Sequence, residues 1–518
     1  MPVLLFSIVA YSFTIYNRTV GLDDFSREGN IGSGNRQLAG RWGMVLWNKL
    51  VGTTVALDPF IDRFLALFFL LFAAILLCYI LYIISGNKRI ISYTITASIF
   101  ITYPLITSIW EYTGADFMLT GNLCLATLAA IVQTSRIAFW KKMFIAGSLL
   151  LLPMSSYESS IFYYISLACI VIFFEYCVGD KGCLNSWGWI KKYFLFAIPL
   201  VIAFLGRFTI SFIINYIYDL EYSGGGATEI AWLHDNIFHV MKCMFAFNIV
   251  KYVLTGLVFF PIAIFVMSLF LFAIYIFFQK EKRLSLFLLG VILVLSLFSQ
   301  SFLQGVELEY RHAQTITLFV AFTAYLLCAL CASVSRRELM WCVYIAFFAL
   351  SWHQAVYLNR ILGLNNLRSD NEIALIHQIG ISLASESEKK PVAFVGTYPK
   401  GDFINSQICV DESVWNGKLF FKIYEKYIAK LDRPYYYGAN VNTVLGYYQL
   451  RECFKYFGYD VDVVMPSLLS ETDVNSRKYK KTGDHILNKA RTLVKEKSIK
   501  PYQIYNAGSF FVVYLGGD

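Results

Sequence analysis

Asp23 and Asp24 stand side by side in the run Asn17-Arg18-Thr19-Val20-Gly21-Leu22-Asp23-Asp24-Phe25-Ser26-Arg27, just beyond the first apolar stretch. A carboxylate held at a bilayer boundary can take the proton of a sugar hydroxyl as a general base. The pair also suits a plainer role, in which Asp23 caps a short helix beginning at Asp24, and spacing leaves the two open. Other ionisable residues gather at the same kind of boundary. Glu111 and Asp116 flank a tight turn, Glu158 follows Tyr157 between two apolar stretches, and Arg207 lies inside another. Glu307, Glu309, Tyr310, Arg311 and His312 crowd the entry to a late one. Charges beside lipid are costly, and Arg and His can hold an anionic phosphate through charge-assisted hydrogen bonds. For each residue alone, an internal ion pair such as Arg207 with Glu158 or Arg311 with Glu307 explains it as well. The set is informative because its acids and bases lie on one side only.

The elements that must position these groups follow from composition. The chain has 518 residues, 57% hydrophobic and only 15% charged, where globular chains carry roughly a quarter charged residues. That excludes a purely soluble chain, a disordered chain and a small disulfide scaffold. Eleven apolar stretches qualify or nearly qualify as spanning helices, at about 3–16, 60–85, 90–110, 115–134, 140–156, 158–178, 193–215, 253–278, 284–303, 313–332 and 339–358. The first lacks a basic leader and a small-x-small cleavage site, so it reads as a span rather than a signal-peptide core.

Lys and Arg set the orientation. Alternate breaks hold Lys88 and Arg89; Arg136, Lys141 and Lys142; Lys181, Lys191 and Lys192; Lys280, Lys282 and Arg283; and Arg336 and Arg337. The short breaks between them, near Glu111–Gly114 and Ser155–Tyr157, hold none. This positive-inside register predicts a cytoplasmic N-terminus. It places the 17–59 loop, the 216–252 loop and the chain after Tyr357 outside. The net charge of +9 is spread along the chain without a basic block, so no nucleic-acid partner is expected.

Met44–Leu50 predicts a helix lying on the membrane surface, with Trp42 and Trp47 at headgroup level. Within 229–250, Trp232, Leu233, Ile237, Val240, Met241, Met244 and Phe245 recur at helical spacing against Asp235, His239 and Lys242, predicting an interfacial amphipathic helix. The expected division is a multi-span domain over 1–360 and a small extracytoplasmic α/β domain over 361–518. In the latter, Pro391–Val395, Val461–Val464 and Phe510–Leu515 read as strands, and Lys418–Lys430, Val444–Tyr456 and His485–Glu496 as helices. Most of the eleven cysteines lie in or near apolar stretches as small hydrophobes. Cys409 and Cys453 stand apart in the tail, where an oxidising compartment would let them pair. No zinc-like Cys/His array is present in the sequence.

The paired acid in the first outer loop, followed by Gly40-Arg41-Trp42 and a surface helix, resembles bacterial polytopic glycosyltransferases of the GT-C class. More narrowly, Leu22-Asp23-Asp24-Phe25-x-Arg27 with Gly40-Arg41-Trp42 resembles the type II serotype-converting O-antigen glucosyltransferases, over the first seven or so spans. The resemblance implies a many-spanned fold in the bacterial inner membrane with an outward-facing active site. It implies a hexose, glucose by analogy, carried on a polyprenyl-phosphate donor, a lipid-linked or growing polysaccharide acceptor, and inversion at the anomeric carbon. Asp24 or Asp23 would then be the base. Charge and topology add Arg41, Arg311 and His312 as partners of the departing phosphate, with Arg207, Glu158 and Asp116 as further substrate-side residues. There is no second outer-loop Asp-x-Asp, so the expectation is a metal-independent enzyme without a cofactor.

Three other readings compete, one of them a structural or sensory membrane protein whose tail does the binding. A flippase or transporter would show internal repeats and helices interrupted at mid-membrane, and the sequence has no repeat. A polysaccharide polymerase or ligase would lead with arginine-rich outer loops, whereas here the acidic pair leads.

Overall fold

In a computed structural model of the chain, the described residues are 1–17, 34–51, 59–107, 116–157, 159–178, 188–219, 230–233, 235–254, 260–279, 283–306, 308, 312–333, 337–386, 388–396, 450–451, 453–455, 457–464, 476–500 and 503–515. Each apolar stretch coincides with a helix. In chain order these are α1 (Pro2–Tyr16), α3 (Pro59–Ser85), α4 (Ile90–Thr102), α5 (Asp116–Thr134), α6 (Phe139–Ser156), α7 (Ser159–Val178), α8 (Gly188–Tyr218), α11 (Phe260–Phe278), α12 (Arg283–Ser296), α14 (Gln314–Ser333) and α15 (Arg337–Ala384). Between them lie α2 (Gly34–Val51), the short α9 (Ile237–Met241) and α10 (Asn248–Tyr252), and α13 (Ser299–Gln304). Among the described residues, seven helices are long and apolar enough to cross a membrane.

Local chemistry explains where helices stop short of the apolar pattern. The 90–110 stretch breaks at Tyr103, which is extended at ψ 123°, because Pro104 disfavours a helical conformation in the residue before it. A 3-10 turn, Pro104–Thr107, follows. The 284–303 stretch breaks between Ser296 and Ser299 and resumes as α13, which closes on Gly305 at φ +75°.

The bundle is fastened by buried polar contacts between helices, the bonds that hold apolar surfaces together where lipid competes equally for them. Tyr11 donates to the Ile101 carbonyl at 2.6 Å, Thr102 to Gln354 Oε1 at 2.9 Å, and Tyr103 to the Pro261 carbonyl at 2.7 Å. They tie α1, α4, α11 and α15 into one core. A separate aromatic layer joins α7, α11 and α14, with Phe272 in contact with both Phe173 and Phe319.

The tail holds a three-stranded sheet in the order β1 (Val392–Val395), β3 (Phe511–Tyr514), β2 (Ile504–Asn506). β1 pairs parallel with β3, and β2 antiparallel with it. Helix α16 (Ser476–Glu496) packs on the sheet through Leu487, Ala490 and Val494. Sequence patterning misses β2, a three-residue strand too short to show alternation. The expected strand Val461–Val464 contributes only an isolated bridge, Val463 to Val392. The expected helix Lys418–Lys430, and Cys409 as a partner for the buried Cys453, lie outside the described residues.

The expected boundary at 360/361 falls inside α15, a continuous helix of 48 residues. Leu358 and Leu362 belong to the bundle core, and Ile376 and Ile379, further along the same helix, belong to the core of the sheet.

Candidate active site

Helix α2 is the described element that follows the acidic pair in the chain, and its docking defines the site. It is kinked at Arg41, whose φ of −132° and ψ of 48° are not helical. Gly43 then lies directly on the end of α6. A methyl group there would stand 2.2 Å from Ser155 Oγ and 2.9 Å from the Ser155 carbonyl carbon, so only glycine allows this approach. One turn on, Trp47 Nε1 donates to Asn122 Oδ1 at 3.1 Å. Asn122 Nδ2 donates to Ser156 Oγ at 2.8 Å, and Ser156 donates to the Leu152 carbonyl at 2.7 Å. The Trp47 ring meets Phe69 and Phe117 edge-on.

This corrects the surface-helix expectation for Trp47. It is 8% exposed and sits inside the bundle, enclosed by protein. Asn122 supplies the partner a buried indole N–H needs, and Gly121 leaves room for the ring, since a methyl group there would come within 2.8 Å of it.

The kink carries Arg41 over the ring of Tyr157, 5.6 Å from its centroid. Tyr157 occupies the tight turn between α6 and α7. Its amide donates to the Pro153 carbonyl at 3.0 Å, and its own carbonyl accepts from Ser160 at 3.2 Å. The same ring lies 5.7 Å from the ring of His312, tilted by 32°. Two of the predicted cationic residues, from the first loop and from the entry to α14, therefore meet on one tyrosine.

The 216–252 loop braces the His312 side. The predicted amphipathic helix is interrupted once, at the extended Asn236 after a 3-10 turn Ala231–Leu233, and then runs without a gap from Ile237 to Tyr252 through α9, a π-helical turn Lys242–Phe247 and α10. Only Val240 and Met244 of its apolar set are buried. Side chains of the segment bond to backbone and side-chain groups that fix its place. Trp232 Nε1 donates to the Phe302 carbonyl at 2.8 Å, and Asn248 Nδ2 to the Met244 carbonyl and to Ser301 Oγ at 2.6 and 2.7 Å. Asn248 Oδ1 in turn accepts from the Leu308 amide at 2.8 Å, and Tyr252 donates to the Leu308 carbonyl at 2.9 Å. Leu308, four residues before His312, is thus held through both its amide and its carbonyl.

Between these two clamps on α10 sits Lys251, 3% exposed. Asp62 and Arg63, at the start of α3, are each 6% exposed. Sequence reasoning passed over all three. The signal for the pair was present, since adjacent charges opening an apolar stretch of this length are costly unless enclosed. Nothing local marked Lys251.

Arg207 shares a face of α8 with the buried Pro199, Ala203 and Ser211. Gly147 packs on Ile202, and Gly206 on Leu151, so α6 and α8 run in the same direction. Arg207 therefore stands near the height of Leu151, ~9 Å along the helix from Tyr157 at ~1.5 Å per residue. The structure brings Arg41 and His312 together and puts Arg207 on the neighbouring turns. Asp116 opens α5, but its side chain lies outside the described residues, as do Asp23, Asp24, Glu158 and Arg311. Among the described residues, no group of three or more His, Cys, Asp or Glu could hold a metal ion.

The arrangement presents donors and positive charge beside the first loop, which is what a site that releases an oxyanion requires. The family model described as Glucosyl transferase GtrII matches residues 12–327, a segment that contains every one of these residues. The chain belongs to this family of glucosyl transferases, and it is a multi-pass membrane protein. No curated protein matches it. Among solved structures, ArnT from Cupriavidus metallidurans, crystallised with undecaprenyl phosphate, is similar over 79% of this chain and 84% of its own, at 10% identity and a TM-score of 0.43.

Proposed function

We propose that this enzyme moves glucose from a polyprenyl-phosphate donor to a lipid-linked or growing surface polysaccharide, the O-antigen class of acceptor, with inversion at the anomeric carbon. The reaction takes place at the outer face of the bacterial inner membrane, with eleven spans and the α/β tail on the periplasmic side. Asp24, or its neighbour Asp23, accepts the proton of the acceptor hydroxyl. The hydroxyl oxygen bonds to the anomeric carbon as the bond from that carbon to the phosphate oxygen breaks, and the lipid phosphate departs with the electron pair. Arg41, His312 and Arg311 face the growing negative charge, with Arg207 and the buried Lys251 as further cations and Glu158 and Asp116 on the substrate side.

The observation that carries this reading is the meeting of Arg41 and His312 on Tyr157, within a family-matched segment that also contains the acidic pair. Positive charge fixed before the reaction stabilises a developing oxyanion without reorganisation during it. The positive-inside register of the breaks supports the outward orientation.

The test is replacement of each acid. Asp24→Asn or Asp23→Asn is expected to abolish glucosylation of the surface glycan, read by mass spectrometry, while the protein still inserts and expresses. Normal glycan modification by both single variants would remove the proposed base.

A further inference from the structure

Trp42, the residue after the kink, is half-buried, and its Nε1–H is enclosed with no hydrogen-bond partner among the described residues. The second tryptophan of the same helix shows what the fold does when it stores an indole for structure, since Trp47 Nε1 is given Asn122. Leaving a buried donor unmade costs free energy, and native structures rarely tolerate it without a use. Trp42 also cannot lie far from the cationic cluster. Its neighbour Gly43 is pressed against Ser155, two residues from Tyr157, and its other neighbour is Arg41, over the Tyr157 ring.

The types of group narrow the ligand. An indole N–H and a guanidinium only donate and have no acceptor to offer. A sugar hydroxyl both donates and accepts, so a donor-only pair satisfies half of it. An ionised phosphate oxygen only accepts and matches both groups. We infer that Trp42 is a substrate-binding residue whose Nε1–H donates to a phosphate oxygen of the lipid donor, beside the Arg41 guanidinium. The assignment rests on the lipid-phosphate reading above and adds to it a neutral hydrogen-bond donor in the phosphate site.

The physical signature is a separation of stability from binding. Trp42→Phe keeps an aromatic ring and deletes an unpaired donor, so the ligand-free protein loses no hydrogen bond of that side chain. The experiment measures thermal unfolding of the purified full chain in detergent, alone and with undecaprenyl phosphate, with phosphatidylglycerol as a second lipid. The expected result is an unchanged unliganded Tm for Trp42→Phe, with binding of undecaprenyl phosphate weakened about tenfold to a hundredfold, the range for a hydrogen bond to a charged group. Equal binding by both proteins would overturn the inference while leaving the lipid-phosphate reading intact. A lower unliganded Tm for the variant would make Trp42 a structural residue. Stabilisation by phosphatidylglycerol as large as that by undecaprenyl phosphate, and lost in the variant, would assign the site to bulk headgroups and overturn it as a donor contact. No binding of undecaprenyl phosphate by the unmodified protein would remove both readings together.

Discussion

Trp47 and Asn122 join α2 to α5 through one hydrogen bond of 3.1 Å, and Asn122 passes the connection to Ser156 at the end of α6. The first-loop helix is therefore registered against two helices of the bundle at once, and with it the position of Arg41. Asn122→Ala removes both bonds and strands a buried indole N–H. It is expected to cost ~2–4 kcal/mol, given about 1–3 kcal/mol for each buried group left unsatisfied. Thermal unfolding in detergent checks the value, and glucosyl transfer should fall with it because Arg41 loses its anchor.

Gly43 and Gly363 should respond oppositely to alanine. At Gly43 the new methyl group meets the Ser155 backbone, which cannot swing aside. Helix α2 must shift, and a displacement of about 1 Å at a reacting centre can cost on the order of a hundredfold in rate. At Gly363 the nearest atom is 3.9 Å away on Phe13, an ordinary contact, and alanine inside a helix gains up to ~1 kcal/mol over glycine. Glucosyl transfer by the two variants at matched expression makes the comparison, and equal activity would count against the role given to the close approach.

Tyr157 supports Arg41 and His312 on one ring, so their contributions should not be independent. In a double-mutant cycle, Arg41→Ala is expected to lower transfer strongly in the native background and much less once Tyr157→Ala has removed the ring. Coupling between groups in contact runs at ~0.5–3 kcal/mol, read here from ratios of transfer rates. Simple additivity would mean that the tyrosine does not position the cation.

Membrane orientation gives a fourth check. Reporter fusions at Asn87 and at Gln279 should report cytoplasmic locations, and fusions at Gly305 and after Ser385 periplasmic ones, following the distribution of Lys and Arg. A periplasmic signal at Asn87 would reverse the register and leave the acidic pair on the wrong side for the proposed chemistry.

Much of the bundle was legible because hydropathy is a one-dimensional signal. A run such as Pro59–Ser85 must become a helix wherever it lies, since in lipid every backbone group has to be satisfied within the segment. Arg41 and His312 were legible as charges in costly places. Their meeting was not, because it depends on Tyr157 and on the Asn248 and Tyr252 clamps around Leu308, pairings that span long sequence separations. Trp47 was misread for the same reason. A tryptophan near a loop looks alike whether it rests at the interface or finds Asn122, and only the fold distinguishes the two. Lys251 carried no local signal at all.

One consequence concerns α15, which serves two cores without interruption. Such a rod fixes both the height and the compass bearing of whatever it carries, with each added residue contributing ~1.5 Å and ~100°. Seven extra residues between Leu362 and Ile376 would raise the sheet by ~10 Å and return it to within ~20° of its present heading. Two extra residues would turn it nearly backwards at almost the same elevation. Spacing and direction can thus be dialled separately, and the phase of the insertion, more than its length, would decide which way the distal sheet faces.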